Sequence, residues 1–283
     1  MTGYDFQYNG NSLRDMGFMM VKPNDDDNFG LSRSVIKGNI TPFKSTVPHF
    51  GTQYDDVLIL NFFIVKDITE DYTNTKVTYD ELRDIQKWLT SPKLPQSLFV
   101  ESYDEEKVIE YVGLFTDVNA FQNDHLNGFE LVFTCNSQYG YYHTKWKYTI
   151  NSDTGIVKRI YNDTDEMNEP IFPTLTIKPS STGTFSITNG RTNETMSVNF
   201  ADTSTYTVDC RLRRILKDGT PISLFSFGWN VEELIDQNDV GTGTYSLCWL
   251  SLYPGVNPLT ITGSATLTIE YKTPVKVGGY VNV

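Results

Sequence analysis

Residues Phe129 to Tyr142, FELVFTCNSQYGYY, lie almost at the midpoint of the 283-residue chain and set its organisation. Phe129, Leu131, Phe133 and Cys135 fall on one side of a period-2 pattern, as in a strand with a buried face. The polar run from Asn136 to Gly140 ends that strand, and a second strand-rich half follows. The chain reads as two domains, 1–145 and 146–283, each long enough to bury its own core.

Composition favours β-structure in both. Aromatic residues make up 13% of the chain, with 17 Tyr and 17 Phe, accompanied by many Thr, Val and Ile. Such side chains suit half-buried pleated surfaces. Around Asn9-Gly10, residues 4–22 read as two short strands joined by a tight hairpin turn. Residues 31–42 are strand-like and end before Pro42. Val57 to Val65, VLILNFFIV, is apolar at almost every position, which predicts a strand covered on both faces. Thr78 and Glu81 form a capping box, with Val77 and Leu82 as its hydrophobic staple. Leu82, Ile85, Trp88 and Leu89 share one face of the helix that follows, and Ser91-Pro92 stops it. Strands are predicted over 97–100, 107–116 and 129–135.

The second half is a series of short strands: 171–177, 184–188, 195–200, 205–210, 221–227, 245–253, 258–262 and 265–271. Asn189-Gly190, Asp218-Gly219, Pro254-Gly255 and Gly263-Ser264 punctuate them as turns. This spacing indicates a β-sandwich. The fold class is therefore mostly β: a β-sandwich plus helix, then a second β-sandwich.

No residue pattern points to catalysis. His49, His125 and His143 stand in separate segments, and no glycine-rich phosphate loop occurs. Asp163, Asp165, Glu166 and Glu169 form an acidic run, and Glu232 and Glu233 are adjacent. Paired carboxylates catalyse glycoside hydrolysis only when they face one cleft, and solvated surface groups are the simpler reading. The loop from Asn24 to Asn28 lacks the glycine and distal glutamate of a calcium-binding EF-hand loop. Cys135, Cys210 and Cys248 are odd in number and far apart, which predicts buried free thiols and a reducing site of synthesis. We expect no catalytic, cofactor or metal site. No apolar run reaches 18 residues, so no membrane helix is expected, and the N-terminus lacks a secretory signal pattern.

Charge is distributed unevenly. Residues 1–140 carry 11 Lys+Arg against 21 Asp+Glu, a balance of −10, and residues 141–283 carry 12 against 14, a balance of −2. An acidic first half argues against a surface that grips phosphates. The cluster Arg211, Arg213, Arg214 and Lys217 suits an acidic partner or, more simply, a basic strand edge that discourages pairing. The segment FKSTVPHFGTQYDD is too apolar for a free loop. Its aromatics either pack on their own domain or mark a contact surface, with Phe43, Phe50 and Tyr54 as candidate subunit-interface residues.

Several of these elements together resemble the distal tail protein family of siphophages. The resemblance rests on Phe6, Asn9, Gly10, Asp15 and Gly17, then Phe50-Gly51, then the helix ending in Trp88-Leu89. FELVFTC and QYG follow. In the second half come Asn162, Pro170 to Pro173, Asp209-Cys210, and PGVN at 254–257 before ITGSATLTIEY. The Phe50-Gly51 segment departs from the family in being less glycine-rich. The resemblance implies a non-enzymatic hub: a homo-hexameric ring built by the first domain, with a galectin-like second domain outside it. Implied partners are a tail-tube protein above, a tail-tip protein below, and receptor-binding proteins on the second domain. It also implies passage of DNA through the ring without specific binding, assembly in the bacterial cytoplasm and residence at the virion tail tip. Two other readings stay open at this point: a carbohydrate-binding adhesion module, with Trp229 and Trp249 as stacking faces, and a tail-tube protein.

Overall fold

In the computed structural model, the described residues are 5–21, 57–68, 76–100, 108–122, 127–223 and 248–276, with the backbone course alone for 33–37 and 49–54. The chain separates into two compact units, Met1–Tyr142 with Val275–Val283, and His143–Pro274.

The first unit contains β1 (Phe6–Tyr8), β2 (Asn11–Ser12), β3 (Phe18–Val21), β4 (Arg33–Lys37), β5 (His49–Tyr54) and β6 (Ile59–Lys66). Helix α1 (Tyr79–Thr90), β7 (Gln96–Val100), β8 (Ile109–Gln122) and β9 (Asn127–Cys135) follow. Asn9 and Gly10 have φ of 47° and 82°, so the predicted hairpin turn joins β1 to β2. Glycine takes such φ values at no steric cost, and Asn tolerates them better than most residues. All ladders are antiparallel, in the order β3-β6-β9-β8-β7-β1-β2, while β4 and β5 form a separate two-stranded sheet.

Thr78 caps α1 as predicted: its hydroxyl accepts from the Glu81 N–H, and the Glu81 carboxylate accepts from the Thr78 N–H. Ile85, Trp88 and Leu89 are buried, and Trp88 Nε1 donates to the Tyr8 carbonyl at 2.8 Å. That bond satisfies the indole while its ring stacks on Phe6 at 5.7 Å, so helix and sheet share one aromatic core. Phe115 and Phe133 complete it, each edge-on to Tyr8.

The second unit is built from most of β10 (Gly140–Asn162), then β11 (Thr174–Pro179), β12 (Gly183–Asn189), β13 (Glu194–Phe200) and β14 (Tyr206–Asp209). β15 (Arg214–Lys217), β16 (Thr220–Ile222) and β17 (Gly255–Val275) complete it. The order is β16-β15-β14-β11-β17-β10, with β12 pairing both β13 and β17. The 258–262 and 265–271 segments, predicted as two strands, are one strand, β17. It pairs with β12 through Leu259–Thr262 and with β11 through Ala265–Glu270. The change of partner falls at Gly263, where φ is 101° and a Cβ would lie 2.7 Å from the Thr184 carbonyl oxygen. Only glycine lets the two backbones meet so closely there. The bend folds the ribbon so that Phe185, Met196 and Val198 share one core with Leu175, Val208 and Ile215, as expected of a sandwich.

Candidate functional site

The described residues hold no group of three His, Cys, Asp or Glu placed to bind a metal ion. Burial pushes the thiol of Cys135 up to about 12, that of Cys210 to about 12 and that of Cys248 to about 11. Thiols so shifted stay protonated at neutral pH and are poor nucleophiles. The Glu166 carboxylate accepts the Asn168 N–H within its own turn. Glu232, Glu233, His125, Trp229 and the Asn24–Asn28 loop lie outside the described residues. Trp249 is buried in the second core and presents no stacking face.

Strand β6 departs from its prediction as doubly covered. Leu58, Leu60, Phe62 and Ile64 are buried, but Val57 and Ile59 on the other side are 39% and 48% exposed. The register places Thr134 beside Ile59, Val132 beside Asn61, and Val21 and Glu130 beside Phe63. The outer face of β3-β6-β9 therefore mixes apolar side chains, with Val57 and Ile59 the most exposed, and polar ones such as Asn61, Thr134 and Glu130. On that face Phe63 is half-buried and Val65 is buried, so the cover thins along the strand toward Ile59 and Val57. An exposed apolar sheet face of this kind is characteristic of a contact surface.

Phe50 and Tyr54 lie on β5, so residues His49–Tyr54 of the aromatic segment are strand. Tyr54 stands opposite Arg33, and the register slips between Val35 and Lys37, so that Phe50 and Gly51 together oppose Ile36. The ladder is thus irregular at this point, as at a β-bulge. Phe43 lies outside the described residues.

The arginine cluster also departs from its simpler reading. β15 is paired to β14 on one side and β16 on the other, so it is not an edge. Among the described residues the outer strand is β16, which carries Pro221, a residue suited to an edge. Arg211 and Arg213 sit in the turn before β15, fully outside the ladder.

Both halves match phage tail families. Residues 1–137 match the family described as a phage tail protein N-terminal domain, and residues 139–271 match its counterpart, a phage tail C-terminal domain. The chain belongs to this two-domain phage tail protein family. Among solved structures, it is similar to the Dit protein of phage SPP1, described as a paradigm of the hub adsorption apparatus in phages that infect Gram-positive bacteria. The TM-score is 0.61 at 14% identity, over 96% of this chain and 99% of that one. It is also similar to a chain of the phage P2 baseplate in its activated conformation with Ca, with a TM-score of 0.52 at 9% identity, over 98% and 99%. At these identities the likeness concerns the fold. No curated protein sequence matches the chain.

Proposed function

We propose that this protein is the distal tail hub of a siphophage: a hexameric ring that joins the tail tube to the tail tip, passes DNA and anchors adhesion proteins. The observation that carries the reading is that both tail-family domains occur in order within a chain whose whole length follows the Dit fold. The apolar outer face around Ile59 supports it, because a ring needs a heterologous surface that closes by rotation. Phe43, Phe50 and Tyr54 are assigned to the same subunit contact.

Labour is divided between the halves. Residues 1–145 hold the ring contacts, and 146–283, the galectin-like half, folds alone and faces outwards. The role is architectural, with no catalytic step. Light scattering at high concentration, alone and with neighbouring tail proteins, tests the ring. A hexamer in either condition is expected, and a strict monomer in both overturns the proposal. Separate expression of the two halves tests the division, which is inverted if only the second half forms rings.

A further inference from the structure

We infer that the turn between β14 and β15 is a docking knob for an acidic segment of another tail protein, one that also presents an apolar side chain; the inference rests on the hub reading. Three of the chain's arginines fall within four residues here, Arg211, Arg213 and Arg214, in a protein of net charge −12. All three are exposed, and Leu212 between them is 63% exposed. Across the sheet, Cys210 donates its N–H to the Pro173 carbonyl, which places Phe172 at the same end of the sheet. Phe172 is 41% exposed. This end of the sheet thus exposes three arginines and two large apolar side chains.

The turn is built to hold this arrangement. Asp209 Oδ1 accepts the N–H groups of Arg211 at 3.1 Å and Leu212 at 2.9 Å. Its other oxygen forms a long ion pair with Arg214 at 3.9 Å, and the Arg214 side chain remains 53% exposed. Arg213 adopts a φ of 52°, a conformation that a non-glycine residue takes only when its surroundings hold it there. Cys210 is buried and pins the base of the turn. A pre-shaped loop gives up less entropy when a partner docks.

The chemistry selects the partner. Guanidinium groups pair with carboxylates in planar, two-point geometry, and arginine is enriched at the centres of protein interfaces. Edge defence does not explain the cluster, because β15 is paired on both sides. A purely polyanionic ligand, such as a wall polymer, would leave Leu212 and Phe172 without a role. An acidic protein segment with an apolar side chain uses both halves of the surface.

The test uses phage particles that carry Arg211→Glu or Leu212→Ser in the full chain. Tail proteins in purified particles are quantified relative to this chain by mass spectrometry. Both variants are expected to keep this chain at its normal amount and to lose one acidic tail component by about tenfold or more. An acidic-to-lysine change in that component should restore it to the Arg211→Glu particles. Arg213→Asn, which suits the positive φ, serves as a second charge variant if Arg211→Glu lowers the melting temperature of the purified protein. Retention of every component in both variants overturns the inference. So does a loss confined to the charge variants, which would mark a polyanion surface, or intact composition with weakened adsorption to host walls. Failure of the hub reading looks different, because this chain itself would then be missing from the tail tip.

Discussion

Lys66 Nζ stands 2.8 Å from Oε1 of Glu81, while Oε2 of the same carboxylate takes the Thr78 N–H at 2.7 Å. One side chain therefore closes the N-terminus of α1 and ties it to strand β6. Lys66 also donates to the Lys76 carbonyl at 3.0 Å, so the approach to the helix is held as well. The Lys66 side chain is only 9% exposed, and a charge in that position depends on its partner.

Glu81→Gln should lower stability by about 1–3 kcal/mol, because the amide can still cap the helix but cannot neutralise Lys66. The effect should depend on pH. Burial opposes ionisation of Glu81, but the hydrogen bonds from Lys66 and Thr78 outweigh it and hold the carboxyl below its ordinary value. A carboxyl whose folded pKa is depressed stabilises fully above its unfolded value, near 4.3, and loses that contribution as pH falls through the folded value. Urea unfolding of both proteins should show a gap at pH 7 that narrows below about pH 4. A gap that does not change with pH would remove the ion pair from the explanation.

At the bend of β17, Gly263→Ala should cost roughly 2 kcal/mol or more. The new Cβ would lie 2.7 Å from a backbone oxygen, where no flexible side chain can yield, and φ is 101°. Gly219→Ala is the control. It shares a positive φ of 82° but meets nothing within 4 Å, so it should cost less. Equal losses in melting temperature would mean that backbone conformation alone, and not the close approach to Thr184, sets the cost.

These elements differ in how much of them the sequence discloses. The α1 cap and the Asn9-Gly10 and Asp218-Gly219 turns are local, and neighbouring residues alone specify them. Strand β10 was not predicted. Trp146, Tyr148 and Ile150 alternate, but between His143 and Arg159 only Ile150 is buried, so the apolar signal covers a small part of the strand, and pairing with β17 holds it. The bend at Gly263 reads locally as a turn, because glycine followed by serine is a common turn signal. Only the changing partners of β17 show the strand to be continuous. The outer face of β6 is the instructive case. An apolar run predicts two covered faces, but it cannot say whether the cover comes from the same chain or from a neighbour. The arginine cluster misleads for a related reason, since its edge position depended on whether the short strand β16 would pair beside it.

Ile59→Asp tests the outer face directly. Ile59 is 48% exposed, so the charge stays in water in the isolated subunit, and monomer stability should fall by no more than about 1–2 kcal/mol. In a ring the same charge would be buried against the next subunit, and assembly should weaken about tenfold or more. Phe50→Ala on β5 should weaken assembly in the same way with little change in the monomer melt. Normal rings with Ile59→Asp would exclude this face from the contact. A large fall in monomer stability with Phe50→Ala would make Phe50 ordinary core.

The charge of the first half bears on DNA passage. Residues 1–140 hold a balance of −10, and six copies would bring about −60 to one ring. A wall that bound phosphates would release condensed counterions and retain the duplex, whereas an acidic wall repels it and lets it slide. Screening limits this field to about 8–10 Å at physiological salt, so only carboxylates lining the channel matter. We therefore expect a lumen lined by Asp and Glu from residues 1–140, with few Lys or Arg. Acidic groups that merely coat the outside for solubility would leave the lumen neutral. Electron cryomicroscopy of the assembled ring distinguishes these arrangements, and a neutral or basic lumen would overturn the expectation. Titration of the assembled ring with duplex DNA at two salt concentrations gives an independent check. Tight binding that weakens steeply with salt would show that the wall grips the DNA it is expected to release.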